Sequence, residues 1–289
     1  MDMNIPVQGL REIADRYDGF LIDQWGVLHD GEKPYPGAVE ALARIKAEGH
    51  RIVIISNSGK RAAVNADRLA RLGFPPESYD DLVTSGEVAW QALAERTDPI
   101  YSRFGNRCLL ITTGGDAGFL DDLELESVET PEKADFVLLA SIDSTTKEGE
   151  VEAVLHKALL AGLPLICTNP DRIRITPEGT APGTGALAER YQKRGGTVSF
   201  IGKPFPKVYE HCRRLMNDQG DRQLLCIGDS LQHDIRGGRR AGYHTAFVLG
   251  GIFAEHFAGL SGEEYKRTLN RLMEEHEAYP DWVLEQFAW

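Results

Sequence analysis

The sequence predicts an α/β protein whose core is a doubly wound, mostly parallel sheet with a second α/β domain inserted into it. Short apolar runs alternate with helix-length segments along the 289 residues, which is typical of βα units. The length also favours two domains, because single hydrophobic cores stop growing near ~250–300 residues.

The expected strands are the continuous apolar runs, since a parallel strand buried on both faces carries few polar residues. Eight runs have this character: Phe20–Ile22, Arg51–Ile55, Cys108–Ile111, Phe136–Leu139, Leu163–Cys167, Val198–Ile201, Leu224–Ile227 and Thr245–Leu249. Residues 85–196 contain their own βα series, so we predict an inserted domain there and a core formed by 1–84 and 197–289. The cleft between the two domains is the expected place for a functional site.

Two helices are predicted from turn residues and periodicity. The first is opened by Pro36-Gly37, between the first two strands, and Gly49 supplies its terminating residue. The second, Glu263–Glu277, is charged, with apolar residues on one face. An aromatic tail follows it and is expected to pack on the core: Trp282, Phe287 and Trp289.

Composition and charge exclude several classes of function. A net charge of -12 disfavours a nucleic-acid backbone as a partner. No apolar run approaches the ~20 residues of a membrane helix, and the amino terminus lacks the basic and apolar regions of a signal peptide, so we expect a cytoplasmic protein. The cysteines are far apart and form no metal-binding pair, which indicates reduced core thiols: Cys108, Cys167, Cys212 and Cys226.

Asp23 ends the first predicted strand, shortly before a turn at Gly26. Ligands of open α/β sheets bind outside the carboxyl ends of the strands, and a phosphate-attacking aspartate is presented in this way. A single strand-end aspartate is more often a turn cap, so Asp23 alone does not decide between the two roles.

Three further groups of polar residues follow predicted core strands. Ser56-Asn57 follows the second strand and supplies small donors for phosphoryl oxygens. Lys203 follows the sixth strand, and Asp229 and Asp234 follow the seventh. Together with Asp23, these are the groups needed for Mg²⁺-assisted phosphoryl transfer through an aspartyl phosphate.

These residues form four ordered motifs: Asp23-x-x-Gly26-Val27, Ser56-Asn57, Gly202-Lys203-Pro204 and Gly228-Asp229-x-x-x-x-Asp234. In this order they resemble the haloacid dehalogenase superfamily of aspartate-nucleophile hydrolases, over nearly the whole chain. The large insertion, the segment Ser56–Arg61 and the later Arg68-Leu69 are similar to its class IIA. That class includes NagD-like, p-nitrophenyl-phosphatase-like and pyridoxal-phosphatase-like enzymes.

The resemblance implies a Mg²⁺-dependent phosphatase of a small phosphorylated metabolite, with Asp23 as nucleophile. Four groups would hold Mg²⁺: the carboxylates of Asp23, Asp229 and, through water, Asp234, and the carbonyl of Trp25. Three side chains would hold the transferring phosphoryl group: Ser56, Asn57 and Lys203. In the inserted domain Asn169 and Asp171 would shape specificity, although turn chemistry explains an Asn-Pro-Asp segment equally well. Relatives often dimerise through this domain, so a homodimer is a further expectation.

Trp25 departs from the pattern of the family's phosphatases, which carry there an aspartate that protonates the leaving oxygen. An indole ring cannot do so, and such acid–base help is worth ~10²–10⁴ in rate. One interpretation is a phosphatase restricted to good leaving groups, or rescued by His29, Asp30 or a residue of the inserted domain. The alternatives are a catalytically quiet phosphate-binding or regulatory protein, and a dehalogenase, whose halide leaves without a proton. The two acids Asp229 and Asp234 disfavour the dehalogenase.

Overall fold

The computed structural model describes residues 7–98, 100–112, 117–142, 146–176, 179–220 and 222–289. Within these ranges the strands are β1 (Gly19–Asp23), β2 (Arg51–Ser56), β3 (Asp81–Thr84), β4 (Arg107–Ile111), β5 (Glu126–Ser127), β6 (Phe136–Leu139), β7 (Leu165–Cys167), β8 (Ile173–Thr176), β9 (Gly179–Pro182), β10 (Val198–Phe200), β11 (Leu224–Gly228), β12 (His244–Val248) and β13 (Trp282–Leu284).

The helices within the same ranges are α1 (Ala38–Ala47), α2 (Ala62–Arg71), α3 (Ser85–Glu95), α4 (Glu148–Leu160), α5 (Thr184–Lys193), α6 (Pro206–Leu215), α7 (Arg236–Arg240), α8 (Ala254–Phe257) and α9 (Gly262–His276). A π-helical turn, Leu231–Ile235, precedes α7. Both helices predicted from the sequence are present, as α1 and α9, with ends within one or two residues of the turn signals.

The chain divides into two compact units. The first comprises Met1–Ser56, Ala66–Val83 and Lys203–Trp289, and the second comprises Asn57–Asn65 and Thr84–Gly202. Each unit contains its own sheet and its own apolar core. The predicted fold class, an α/β core with an inserted α/β domain, is confirmed.

The first unit is built on a six-stranded sheet with the order β13-β12-β11-β1-β2-β3. Strand β1 pairs in parallel with both β11 and β2, and all five of its residues are buried. Along β12, Ala246 and Val248 pack into the core on the face that α1 covers, whereas Phe247 packs into the core on the face that α9 covers. Helices therefore cover both faces of this sheet, and the carboxyl ends of β11, β1 and β2 meet at one edge.

The aromatic tail completes the first unit, as predicted. Trp282 begins β13, which pairs in parallel with β12. Phe287 is fully buried in the core, and Trp289 packs against it. The backbone N–H of Leu10 donates to the Ala288 carbonyl, so the tail also binds the start of the described chain. The sequence missed β13 because the strand is only three residues long and is flanked by polar residues.

The second unit contains a parallel five-stranded sheet with the order β10-β7-β6-β4-β5, and an antiparallel hairpin of β8 and β9. Here the structure corrects an expected boundary. Strand β10, expected in the core that resumes at residue 197, pairs with β7 of the inserted sheet. An apolar run records that a strand is buried, but it does not record which sheet the strand joins.

A second correction concerns residues 57–65, which were expected in the core. They belong to the second unit because hydrogen bonds tie them to it. The Gly86 N–H donates to the Ser58 carbonyl, and the Thr84 hydroxyl donates to the Lys60 carbonyl. The predicted bounds, 1–84, 85–196 and 197–289, therefore differ from the observed units at both junctions.

The four cysteines are buried and unpaired with one another, as predicted for reduced core thiols. Burial raises the pKa of the Cys108, Cys167 and Cys212 thiols to about 12. Among the described residues, every helix is too short or too polar to cross a membrane.

Candidate active site

Three buried carboxylates meet at the carboxyl edge of the first sheet. Asp23 is the last residue of β1, Asp229 directly follows β11, and Asp234 lies in the π-helical turn after it. Their ligand oxygens lie within 4.8 Å of one another. Residues five apart in sequence converge because the π turn directs the Asp234 carboxylate back toward β11, where the Ser230 N–H donates to its Oδ2 at 3.0 Å.

Lys203 links two of these carboxylates. Its Nζ lies 2.7 Å from Asp23 Oδ1 and 2.7 Å from Asp234 Oδ1. The side chain is buried and also donates to the Ile55 carbonyl at 3.4 Å. One ammonium therefore positions the predicted nucleophile against a second acid.

Burial and mutual repulsion control the charges of this carboxylate cluster. Burial raises the pKa of the Asp23 carboxyl well above its usual range; Lys203 opposes this shift, and Asp234 and Asp229 add to it. Burial, followed by the Asp234 carboxylate, raises the pKa of Asp229 to about 7. Burial by itself lowers the pKa of the Lys203 ammonium, but the carboxylates of Asp23 and Asp234 outweigh it and raise that pKa. A positive charge bound within this cluster would therefore be strongly stabilised.

Two glycines leave room for the Asp229 carboxylate. A Cβ at Gly26 would lie 1.8 Å from Asp229 Oδ2, and one at Gly251 would lie 2.1 Å from the same atom. Gly26 also has a φ of 78°, a conformation that disfavours side chains. The same oxygen accepts the Ile252 N–H at 2.8 Å. These contacts orient Asp229, and the sequence interpretation missed Gly251 and Ile252, because only the fold brings the segment after β12 to Asp229.

Trp25 lies two residues after Asp23, in the turn that ends β1. Its indole ring packs on Gly31, where a Cβ would lie 2.5 Å from two ring atoms. The His29 ring meets it edge-on, with centroids 5.0 Å apart, and the Arg68 guanidinium carbon lies 5.3 Å from the indole centroid. The residue remains 43% exposed despite these neighbours. Arg68 had been noted in a motif, but the sequence assigned it no role.

The two turn residues considered as replacement proton donors are engaged elsewhere. His29 is fully buried, and its Nδ1 accepts the Gly31 N–H at 3.0 Å. Burial, with a further contribution from Arg68, lowers the pKa of His29 to about 4. The Asp30 carboxylate accepts the N–H groups of Glu32 and Lys33, which lower its pKa. Both side chains stabilise the turn, which disfavours proton donation by either at neutral pH.

The remaining predicted residues lie at two places in the fold. Ser56 ends β2 beside β1 in the first unit and is buried. Asn57 belongs to the second unit, where its Nδ2 donates to Asp171 Oδ1 at 2.9 Å. Asn169 Oδ1 accepts the Asp171 N–H at 2.9 Å. This hydrogen bond forms the turn that the sequence analysis gave as an alternative to a specificity role. The functions of these four residues stay predictions.

Comparisons with known proteins identify the family. A profile described as haloacid dehalogenase-like hydrolase matches residues 20–126, and another described as HAD-hydrolase-like matches residues 200–288. Human chronophin is 30% identical over 256 residues, which cover 84% of this chain and 84% of chronophin. The chain belongs to the haloacid dehalogenase-like hydrolases.

This hydrolase is similar to D-glycerol 3-phosphate phosphatase of Mycobacterium tuberculosis, at 29% identity over 84% of the chain and 66% of that protein. The match thus spans just under two thirds of that relative's length. A haloacid dehalogenase-like hydrolase structure from Brucella suis 1330 matches with a TM-score of 0.79 and 27% identity, over 98% of this chain and 100% of that one. The M. tuberculosis glycerol phosphate phosphatase in complex with magnesium matches with a TM-score of 0.65 and 27% identity, over 89% and 77% of the two chains.

Proposed function

We propose that this hydrolase is a Mg²⁺-dependent phosphatase that acts on a small phosphorylated metabolite through an aspartyl phosphate at Asp23. One observation carries the proposal: three buried carboxylates meet at the sheet edge, and the Lys203 ammonium contacts two of them at 2.7 Å. The similarity to a relative named D-glycerol 3-phosphate phosphatase supports the reaction class.

The carboxylate cluster fits a divalent cation. Three carboxyl groups share one ammonium in this buried cluster, and burial together with repulsion among the acids raises the pKa values of Asp23 and Asp229. Carboxylate oxygens are the ligands that Mg²⁺ prefers. Asp23, Asp229, Asp234 and the Trp25 carbonyl would hold the ion, which would polarise the phosphoryl group and offset its charge. The relative solved with magnesium supports this choice of metal.

In the proposed reaction, an Asp23 carboxylate oxygen attacks phosphorus, and the bond from phosphorus to the leaving oxygen breaks with its electron pair remaining on that oxygen. Lys203 holds the Asp23 carboxylate in place and offsets the charge of the transferring group. Ser56 and Asn57 would donate to its oxygens. Water then attacks the phosphorus of the aspartyl phosphate, which releases inorganic phosphate and restores Asp23.

Trp25 favours a second candidate function, a phosphate-binding or regulatory protein without turnover, because the indole supplies no proton to a leaving oxygen. The two candidates differ in a single measurement. A binding protein would be stabilised thermally by a phosphorylated metabolite and would form no product from it. The phosphatase proposal also includes three predictions: specificity roles for Asn169 and Asp171, a cytoplasmic location and a homodimer.

Metal removal tests the proposal directly. We expect EDTA to abolish phosphate release from p-nitrophenyl phosphate and added Mg²⁺ to restore it. Asp229→Asn should raise the Mg²⁺ concentration needed for half-maximal rate at least about tenfold, because it removes a charged ligand. Asp67→Asn, at an exposed position of α2, is the matched control and should leave that concentration unchanged. Release that is insensitive to EDTA, or no release from any ester in a metabolite screen, would contradict the proposal.

Gly26→Ala tests the space that Asp229 needs. The new Cβ would displace the Asp229 carboxylate, and a shift of about 1 Å can cost about 10²-fold in rate. Gly49→Ala is the control, because Gly49 has a φ of 87° but nothing within 4 Å of its Cβ position. Both variants should lose about 1–2 kcal/mol of stability from backbone strain, whereas only Gly26→Ala should lose activity. Steady-state kinetics and urea unfolding measure the two effects, and equal activities would refute the crowding argument.

A further inference from the structure

The Arg68 guanidinium contacts the ring of Trp25, a residue close in sequence to the proposed nucleophile. Trp25 comes two residues after Asp23, and the Arg68 guanidinium lies over its ring at 5.3 Å. Gly31 and His29 contact the ring on other sides. These contacts restrict the indole, and 43% of the residue is still exposed to solvent.

The hydrogen-bonding capacity of Arg68 is not used within the described part of the chain. Arg68 is half-buried on α2, and its guanidinium makes no hydrogen bond or ion pair with the described residues. Arg71, on the same helix, instead donates to the Asp67 carbonyl. A guanidinium is a planar cation with several N–H donors, which suit an anionic oxygen.

Three side chains of the turn around Trp25 are poorly suited to donate a proton to a leaving group. The indole has no acidic group to give, His29 is fully buried, and the Asp30 carboxylate caps two backbone N–H groups. A leaving oxygen that receives no proton from these three side chains departs with its negative charge. Such an oxygen needs a cation beside it, and Arg68 is the cation that contacts Trp25.

We infer that Arg68, held against Trp25, binds the leaving oxygen and selects phosphate monoesters whose leaving group is a stable oxyanion, such as aryl and enol phosphates. This inference rests on the proposed function. When the bond between phosphorus and oxygen breaks, the electron pair stays on that oxygen and no proton moves. The guanidinium remains protonated and donates a charge-assisted hydrogen bond to the departing oxyanion. Solvent protonates the product after its release.

A series of substituted phenyl phosphates tests this role. The measurement is kcat/KM for phosphate release against the pKa of the leaving phenol, from p-nitrophenyl to unsubstituted phenyl phosphate, with glycerol phosphate as an alkyl ester. The wild-type rate should fall steeply as that pKa rises. Arg68→Met should steepen the fall, with a loss below about tenfold for p-nitrophenyl phosphate and about 10²–10³-fold for phenyl phosphate.

Three further variants complete the experiment. Arg68→Lys should recover part of the loss, and Arg71→Met, the matched control on α2, should keep the wild-type slope. Trp25→Asp should flatten the slope, because a carboxyl group can protonate the leaving oxygen, and it should raise glycerol phosphate turnover by about 10²–10⁴-fold. Thermal unfolding checks that each variant is folded.

The outcomes separate this inference from the proposed function. If Arg68→Met lowers the rates of all esters by one factor, or changes none, Arg68 does not bind the leaving oxygen while the phosphatase itself stands. A flat wild-type dependence would overturn the selection of stable oxyanions. If the wild-type protein releases phosphate from no ester, the proposed function fails, and this inference fails with it.

Discussion

Asp23→Asn is expected to abolish phosphate release, with kcat falling by more than about 10⁴-fold. An amide is a far weaker nucleophile than a carboxylate and cannot form the acyl phosphate. The measurement is phosphate release from p-nitrophenyl phosphate at saturating Mg²⁺, together with trapping of phosphate on the protein. Wild-type protein should carry acid-stable, base-labile phosphate during turnover, and the variant should carry none.

The stability of Asp23→Asn provides an internal control. Burial raises the pKa of the Asp23 carboxyl, so its charged form is disfavoured in the folded state. The neutral amide should therefore keep or raise the Tm in metal-free buffer, since its oxygen can still accept from Lys203 and from the Gln24 N–H. Activity would fall while stability does not. Retained turnover in this variant would exclude Asp23 as the nucleophile.

Lys203→Met should lower the free energy of unfolding by about 3–5 kcal/mol and abolish activity. The substitution leaves the Asp23 and Asp234 carboxylates buried without their ammonium partner, and breaking a buried pair by removing one member costs about that much. Urea unfolding in metal-free buffer measures the change. The loss should be smaller at low pH, where the Asp23 carboxyl, whose pKa is raised by burial, becomes protonated and loses its unpaired charge.

Lys266→Met is the matched control for this prediction. Lys266 pairs with Glu263 on the surface of α9, where the Glu263 side chain is largely exposed and the Lys266 side chain is partly exposed. Such a pair contributes about 0–1 kcal/mol. If the two variants lost equal free energies of unfolding, burial of the Lys203 ion pair would not increase its contribution to stability.

Much of the first unit could be predicted because its signals are local. A run such as Phe20–Ile22 is buried on both faces and therefore apolar throughout, and Asp23 ends that run. Strands β3 and β13 were missed because they are short and flanked by polar residues. Strand β10 was placed in the wrong sheet, since its apolar residues fit either one.

The site could be predicted only as a set of candidate residues. Lys203, Asp229 and Asp234 were recognisable because each follows an apolar strand, although the strand before Lys203, β10, joins the inserted sheet. Their mutual distances, and the shifted pKa values that follow from them, depend on how the strands align at the sheet edge. The contact between Arg68 and Trp25 joins residues 43 positions apart, and no local pattern indicates it.

The sequence by itself determined the α/β class, the order of the motifs and the presence of an indole two residues after Asp23. These features are local, because burial of a strand and the chemistry of a side chain are recorded in adjacent residues. The tertiary structure alone decided that β10 joins the inserted sheet, that glycines make room for Asp229, and that Arg68 lies on Trp25. Those features arise from packing between distant segments, where the energy depends on three-dimensional proximity.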